Sequence, residues 1–203
     1  MTILIKALIF DMGGVILRTQ DHKPRELMAK RFHTSRRELE DYIFMSQSSL
    51  LSEVGKKSNY EHWQTVLDYF DVDDVNPETA YRDFFSGDVV NSELLDYIDV
   101  LRPNYRIGLL SNSWSNAREN LSRMFEFLKH FEVSIFSSEL GVRKPDPEIF
   151  YEFLRKLEVT AEESIFIDDF EENINGAKAV GLHAILFKDN PSVVLAINKL
   201  LGQ

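Results

Sequence analysis

Five short runs of apolar residues punctuate the chain, at 7–10, 107–110, 133–136, 165–167 and 184–187. Runs this short and this nearly unbroken fit strands of a sheet covered on both faces, where neither side of a strand meets water. Between the later runs the apolar positions fall at helical spacing. Ala117, Leu121, Met124, Phe125 and Leu128 predict a helix over 116–128, a second helix follows over 147–157, a third ends at Gly181, and a last closes the chain. Strand and helix in alternation predict an α/β fold with a parallel sheet and helices on both of its faces.

The first strand stands apart from this rhythm. It ends at Asp11, and the next buried strand begins near Arg106, whereas a βαβ unit needs only about 30 residues. Helical spacing fills the gap: Leu39, Tyr42 and Ile43, then Tyr60, Trp63, Val66, Leu67 and Phe70, then Tyr81, Phe84 and Phe85. These positions predict a small helical bundle whose aromatic stripe is its own core. Residues 17–89 are therefore expected to form a helical domain inserted after strand 1, and residues 1–16 and 90–203 the α/β core. Leu94, Leu95, Ile98 and Leu101 form the helix that returns to the core and ends at Pro103.

Composition narrows the function classes. A formal net charge of −10 argues against general binding to nucleic acid or to an anionic membrane, so an anionic substrate needs local positive charge. The chain has no cysteine, which removes disulfides, thiol catalysis and cysteine-based zinc sites and accords with a cytoplasmic location. Lys6 and Asp11 interrupt the apolar N-terminus, which reads as a core strand and not a signal peptide. No run approaches the roughly 18 apolar residues of a membrane span.

Chemistry gathers where the strands stop, the place an open α/β sheet builds its sites. Phe10-Asp11-Met12-Gly13-Gly14-Val15 puts a carboxylate at a strand end beside two glycines, and such an Asp serves as a nucleophile or as a plain turn residue. Arg106 to Ser113 is a second strand ending in Ser111 and Asn112, whose hydroxyl and amide can donate to an oxyanion or cap a helix. Lys144 is fixed between a glycine turn and a proline-started helix in Leu140-Gly141-Val142-Arg143-Lys144-Pro145-Asp146-Pro147. Ser164 to Asn173 is an apolar strand ending in Asp168 and Asp169, adjacent acids that repel unless a cation joins them, and hard oxygen ligands suit Mg²⁺.

In this order, Asp11, Ser111, Lys144 and Asp168-Asp169 resemble the four motifs of the haloacid dehalogenase-like hydrolase superfamily, spread over nearly the whole chain. The resemblance implies a Rossmann-like core under a mobile helical cap, and a Mg²⁺-dependent phosphatase acting on a small phosphorylated metabolite. By position, Asp11 is the nucleophile, Ser111 (with Asn112) holds the phosphoryl group, and Lys144 neutralises Asp11 and the phosphate. Asp169 is the acidic Mg²⁺ ligand, with Asp11 and the Gly13 carbonyl. Asp168 stands behind the ligands or serves as an alternative ligand, and Asn173 matches an outer position of the motif.

One departure is informative. The phosphatase motif usually reads Asp-x-Asp, and here it reads Asp11-Met12-Gly13, so the usual general acid/base is absent, a loss that typically costs about 10²–10⁴-fold in rate. The variant resembles the branch that contains bacterial α-glucose-1-phosphate phosphatases, whose anomeric leaving group needs less help. His22, close to Arg18 and Asp21 at the expected cap entry, is a candidate replacement acid. Two alternatives use the same residues. A 2-haloacid dehalogenase would need no leaving-group proton and resembles the Ser111-Asn112 pair, but two acids at 168 and 169 would repel its carboxylate substrate. The other is a family member of weak or lost activity that keeps the pocket.

Overall fold

The computed structural model describes residues 4–202. Its first strands are β1 (Ala7–Phe10) and β2 (Leu17–Thr19). Five helices come next: α1 (Lys23–Arg31), α2 (Arg36–Met45), α3 (Gln47–Glu53), α4 (Asn59–Tyr69) and α5 (Pro77–Phe84). The chain continues through β3 (Asp88–Val90), α6 (Ser92–Leu101), β4 (Arg106–Ser111), α7 (Ala117–Met124), β5 (Val133–Phe136) and α8 (Ser137–Leu140). It closes with α9 (Pro147–Leu157), β6 (Ser164–Asp168), α10 (Glu171–Ala179), β7 (His183–Leu186) and α11 (Asn190–Leu201).

Five strands form one sheet in the order β5-β4-β1-β6-β7, and every neighbouring pair is parallel. The doubly covered sheet read from the apolar runs is explained by strand alternation. On β1, Leu8 and Phe10 face a cluster with Leu94, Ile98, Val193 and Ile197 of α6 and α11. Ala7 and Ile9 face the opposite cluster, built with Ile149, Phe150 and Phe153 of α9 and Ile174 and Ala177 of α10. The side-chain period of two sends alternate residues to two apolar layers, so no position of β1 is left for a polar residue.

The helices α1, α2, α4 and α5 build a third core, with Met28, Phe32, Leu39, Ile43, Trp63, Val66, Leu67 and Phe84. This helical layer runs between the two strands of an antiparallel ribbon, in which Leu17 pairs with Val90 and Thr19 with Asp88. Buried Arg25 of α1 fastens the two together. Its guanidinium bonds Asp88 at 2.9 Å, lies 3.3 Å from Glu40 and stacks over Phe84 at 4.4 Å. One core side chain also enters the layer: Trp114, from the loop after β4, belongs to the same cluster.

The helix expected over 116–128 is divided. α7 stops at Met124, Phe125 takes extended backbone, and a 3₁₀ turn follows over Phe127–His130. The break delivers Phe127 and Phe131 to the cluster under the sheet, a burial that an uninterrupted helix would divide between different faces. The short helices α1 and α3 and the ribbon strands carry too few periodic apolar positions to be seen in the pattern.

Candidate functional site

The strand order places β1 between β4 and β6, so the carboxyl ends of three strands meet above the sheet. Asp11 follows β1 and remains attached to β6, its N–H donating to the Ile167 carbonyl at 2.8 Å. The chain then folds back tightly, with the N–H groups of Ile16 and Leu17 both donating to the Met12 carbonyl. Gly14 occupies the left-handed region at φ +76, and a Cβ there would stand 2.0 Å from Asp169 Oδ2. The second glycine of the motif is thus what lets the Asp169 carboxylate lie against the turn. Gly13 is different, because a Cβ there meets nothing within 4 Å.

Lys144 reaches under this turn, its side chain 1% exposed. Its ammonium donates to Asp11 Oδ1, to Asp168 Oδ2 at 2.7 Å and to the Leu110 carbonyl at 2.9 Å, which accounts for all three of its protons. The loop carrying it is held by Asn112, whose Oδ1 accepts from the Lys144 N–H at 2.8 Å while its Nδ2 donates to the Lys144 carbonyl at 2.9 Å. Asp168 is fully buried, and its oxygens accept from Lys144, from the Phe170 N–H at 2.8 Å and from Asn173 Nδ2 at 3.0 and 3.1 Å. Asp169 has no such company: its Oδ1 is buried without a partner among the described residues.

Asp11, Asp168 and Asp169 each offer an oxygen within 4.8 Å of the others. Three carboxylates facing one ammonium leave two negative charges unbalanced. Burial, with Asp168 and Asp169 adding to it against the pull of Lys144, pushes the Asp11 carboxyl up to about 8. Burial and then Asp168 push Asp169 up to about 6. Burial alone would lower the Lys144 ammonium, but Asp11 and Asp168 outweigh it and hold it above the ordinary lysine value. The unbalanced charge equals that of one divalent cation, and the free Asp169 oxygen is a hard donor, so the donor set fits Mg²⁺.

Asp11, Lys144, Asp168 and Asp169 therefore converge, and Asn173 stands behind Asp168. Ser111 is fully buried at the end of β4, its hydroxyl donating to the Asn112 carbonyl at 3.2 Å. Asn112 spends its amide on the Lys144 backbone, a task that residue type and position did not reveal. Among the outlying candidates, His22 is exposed and meets Arg36 at 2.8 Å, Asp21 accepts from the Lys23 N–H at 2.9 Å, and the Arg18 guanidinium lies 5.5 Å over the Phe187 ring. These hydrogen bonds and the ring contact do not join the carboxylate cluster, although the charge of Arg18 acts on Asp169 and partly offsets the upward push on its carboxyl. The sequence reading also missed Glu53 and Trp114. Glu53 pairs with Arg143 at 2.5 Å, and the Trp114 Nε1–H donates to Ser49 Oγ at 3.0 Å. One joins the helical layer to the loop that carries Lys144, the other to the loop that follows Ser111. A charged residue at the end of α3 and a tryptophan three positions past Ser111 were the only signals for them.

Comparison with known proteins gives four findings. Residues 5–181 match the family model described as haloacid dehalogenase-like hydrolase. D-ribitol-5-phosphate phosphatase of Bacteroides thetaiotaomicron is 31% identical over 189 residues, covering 88% of this chain and 89% of that enzyme. Bifunctional epoxide hydrolase 2 of Rattus norvegicus is 33% identical over 98 residues, 46% of this chain but only 18% of that much longer protein. Among solved structures, a haloacid dehalogenase family enzyme of B. thetaiotaomicron, an aspartate-to-alanine mutant in complex with magnesium and inorganic phosphate, superposes with a TM-score of 0.76 at 25% identity, covering 94% of this chain and 98% of the other.

Proposed function

Because the chain belongs to the haloacid dehalogenase-like hydrolases, we propose that it is a Mg²⁺-dependent phosphatase of small phosphate monoesters, working through an aspartyl-phosphate on Asp11. The observation that carries this reading is the cluster of three carboxylates around one buried ammonium, with its unpartnered Asp169 oxygen. A relative that acts on a phosphorylated polyol and a similar fold that holds magnesium with inorganic phosphate support it. Residues 17–89 are the proposed cap, and the cytoplasm is the proposed location.

In this mechanism a carboxylate oxygen of Asp11 attacks phosphorus, forming the acyl phosphate as the bond to the leaving alcohol breaks. Water then hydrolyses the acyl phosphate, releasing inorganic phosphate and regenerating Asp11. Lys144 keeps Asp11 oriented and offsets negative charge, and Ser111 with nearby backbone N–H groups meets the phosphoryl oxygens. Electrostatic positioning of this kind dominates phosphoryl transfer. Mg²⁺, held by Asp11, Asp169 and the Gly13 carbonyl, would supply further positive charge against the phosphate. Asp168, its hydrogen bonds already spent, positions Lys144 instead of binding the ion directly. No carboxyl at position 13 protonates the departing alkoxide, so turnover is expected to fall as the leaving group becomes more basic.

The test is phosphate release from a panel of sugar, polyol and aryl phosphates with Mg²⁺ and with chelator. Asp11→Asn is expected to abolish release at unchanged fold, and full activity in that variant would remove Asp11 as nucleophile. A dehalogenase reading is disfavoured by the acidic pair at 168 and 169, which would repel a haloacid carboxylate; halide release without metal would reinstate it.

A further inference from the structure

Trp114 belongs to the α/β core by its place in the chain and to the helical layer by its packing. It lies in the loop between β4 and α7, yet its side chain is buried in the cluster that α1, α2, α4 and α5 build. Its ring centroid stands 4.6 Å from that of His62, 5.9 Å from Phe44, 6.0 Å from Phe85 and 6.2 Å from Trp63. The helix α3 makes room for it. A helix packed against a core normally turns apolar side chains inward, whereas the buried residues of α3 are Ser48, Ser49 and Ser52. Ser49 Oγ accepts the indole N–H at 3.0 Å while donating to the Phe44 carbonyl at 3.1 Å, and Ser48 Oγ meets His62 Nδ1 at 3.1 Å. The inserted segment thus builds a socket for an indole that the core supplies.

The same seam is fastened on either side of the indole. The Asn59 N–H, at the start of α4, donates to Ser115 Oγ at 2.7 Å. Glu53 pairs with Arg143, and Gly55 packs so closely on the Ser138 carbonyl that a Cβ would come within 2.5 Å of it. These contacts engage the loop after β4 and the segment after β5, so the layer is held at points remote in sequence from the ribbon of β2 and β3 through which the chain enters and leaves it. Withdrawing a buried indole exposes about 150–250 Å² of aromatic surface, which disfavours separation by roughly 10³–10⁴-fold. The carboxylates do not require that separation. Gly13 is exposed and a Cβ there meets nothing within 4 Å, so the turn side of the cluster already borders open space.

We propose that Trp114 bolts the helical layer to the core, so that the layer does not swing away as a hinged lid and the carboxylate cluster is reached with the seam shut. This departs from the mobile cap that the family resemblance implies, and it holds whether or not the chain is a phosphatase.

Amide hydrogen exchange at Asn59, followed by nuclear magnetic resonance, is the test. The first N–H groups of a helix have no partner within it, so protection of this one reports its bond across the seam to Ser115. In chelator the Asn59 amide of the parent protein should exchange about 10³–10⁴-fold more slowly than an unstructured amide, the ratio set by withdrawal of the indole. Mg²⁺ with inorganic phosphate should leave that protection unchanged. In Trp114→Ala it should fall at least tenfold, while the amides of β1 and β4 keep theirs. Exchange near the unstructured rate in the parent, protection that appears only with Mg²⁺ and phosphate as a closing lid would give, or equal protection in the parent and in folded Trp114→Ala overturns the bolt. A second measurement needs no substitution. The chain has two tryptophans, and acrylamide should quench the fluorescence of neither in chelator; a quenchable fraction that Mg²⁺ and phosphate then shield would mean that the seam opens.

Discussion

Restoring a carboxyl at position 13 tests the account of the missing acid directly. In Gly13→Asp the new side chain enters open space, since a Cβ at Gly13 meets nothing within 4 Å, and Gly13 is not among the glycines with positive φ. The added carboxyl joins Asp11, Asp168 and Asp169, and like charges raise its pKa. That favours the protonated form a general acid needs near neutral pH. A positioned proton donor is worth about 10²–10⁴-fold in rate, or about 3–5 kcal/mol of barrier. The gain should appear with pentyl phosphate, whose alkoxide leaves poorly, and be small with p-nitrophenyl phosphate, whose phenolate leaves without help.

The assay is kcat for both esters in the parent protein and in Gly13→Asp at saturating Mg²⁺, with circular dichroism to establish the fold. A fourth carboxylate in the cluster should also lower the melting temperature in chelator, and Mg²⁺ should restore it. If the folded variant gains nothing on the alkyl ester, or gains equally on both, then position 13 does not face the leaving group or another residue already protonates it. Either result refutes the reasoning.

Three further outcomes follow from the same cluster. Lys144→Met strands two buried carboxylates, so unfolding in urea should show a loss of about 3–5 kcal/mol together with loss of activity. Gly14→Ala sets a Cβ against Asp169 Oδ2 at φ +76; the left-handed strain should cost about 1–2 kcal/mol, and the rise in melting temperature on adding Mg²⁺ should shrink because a proposed ligand is displaced. In chelator, melting temperature should fall as pH rises from about 4 towards 8. Asp169 and Asp11 keep their protons up to about 6 and about 8 when folded, while the unfolded chain ionises near its ordinary carboxylate value, so the folded state binds more protons across that window and loses stability through it. Mg²⁺, which favours the ionised carboxylates, should flatten the slope, and an unchanged slope would count against the proposed metal site.

What the sequence disclosed and what it withheld divide along physical lines. The parallel sheet was legible because a strand buried on both faces needs consecutive apolar residues, and few other structures write that pattern. Asp11, Asp168 and Asp169 were legible because each sits where such a run stops, and Lys144 because a glycine turn and a proline-started helix fix its place. The part played by Asn112 was not, since an amide after a strand is equally able to meet a ligand, and only the fold brings the Lys144 backbone within 2.8 Å of it. The serine face of α3 was invisible for a related reason. Periodicity arguments follow apolar residues, and a helix that buries Ser48, Ser49 and Ser52 has no apolar stripe to follow. Phe125 misled in the opposite direction, because its helical spacing from Leu121 is real while its backbone is extended.

The acidic balance of the chain, −10 overall, is compatible with an anionic substrate once distance is considered. Exposed charges farther away than the Debye length, about 8–10 Å at ordinary ionic strength, are largely screened. What a phosphate meets at Asp11 is set by the nearest groups, and there the ammonium of Lys144 is buried and scarcely screened. With all three carboxyls ionised the cluster carries two excess negative charges, which are the larger obstacle and are of the size that one divalent ion cancels. On this argument phosphate binding and metal binding are linked. Inorganic phosphate should protect the protein against thermal unfolding in Mg²⁺ and fail to do so in chelator, and equal protection in both would mean that Lys144 and the backbone N–H groups hold the anion unaided.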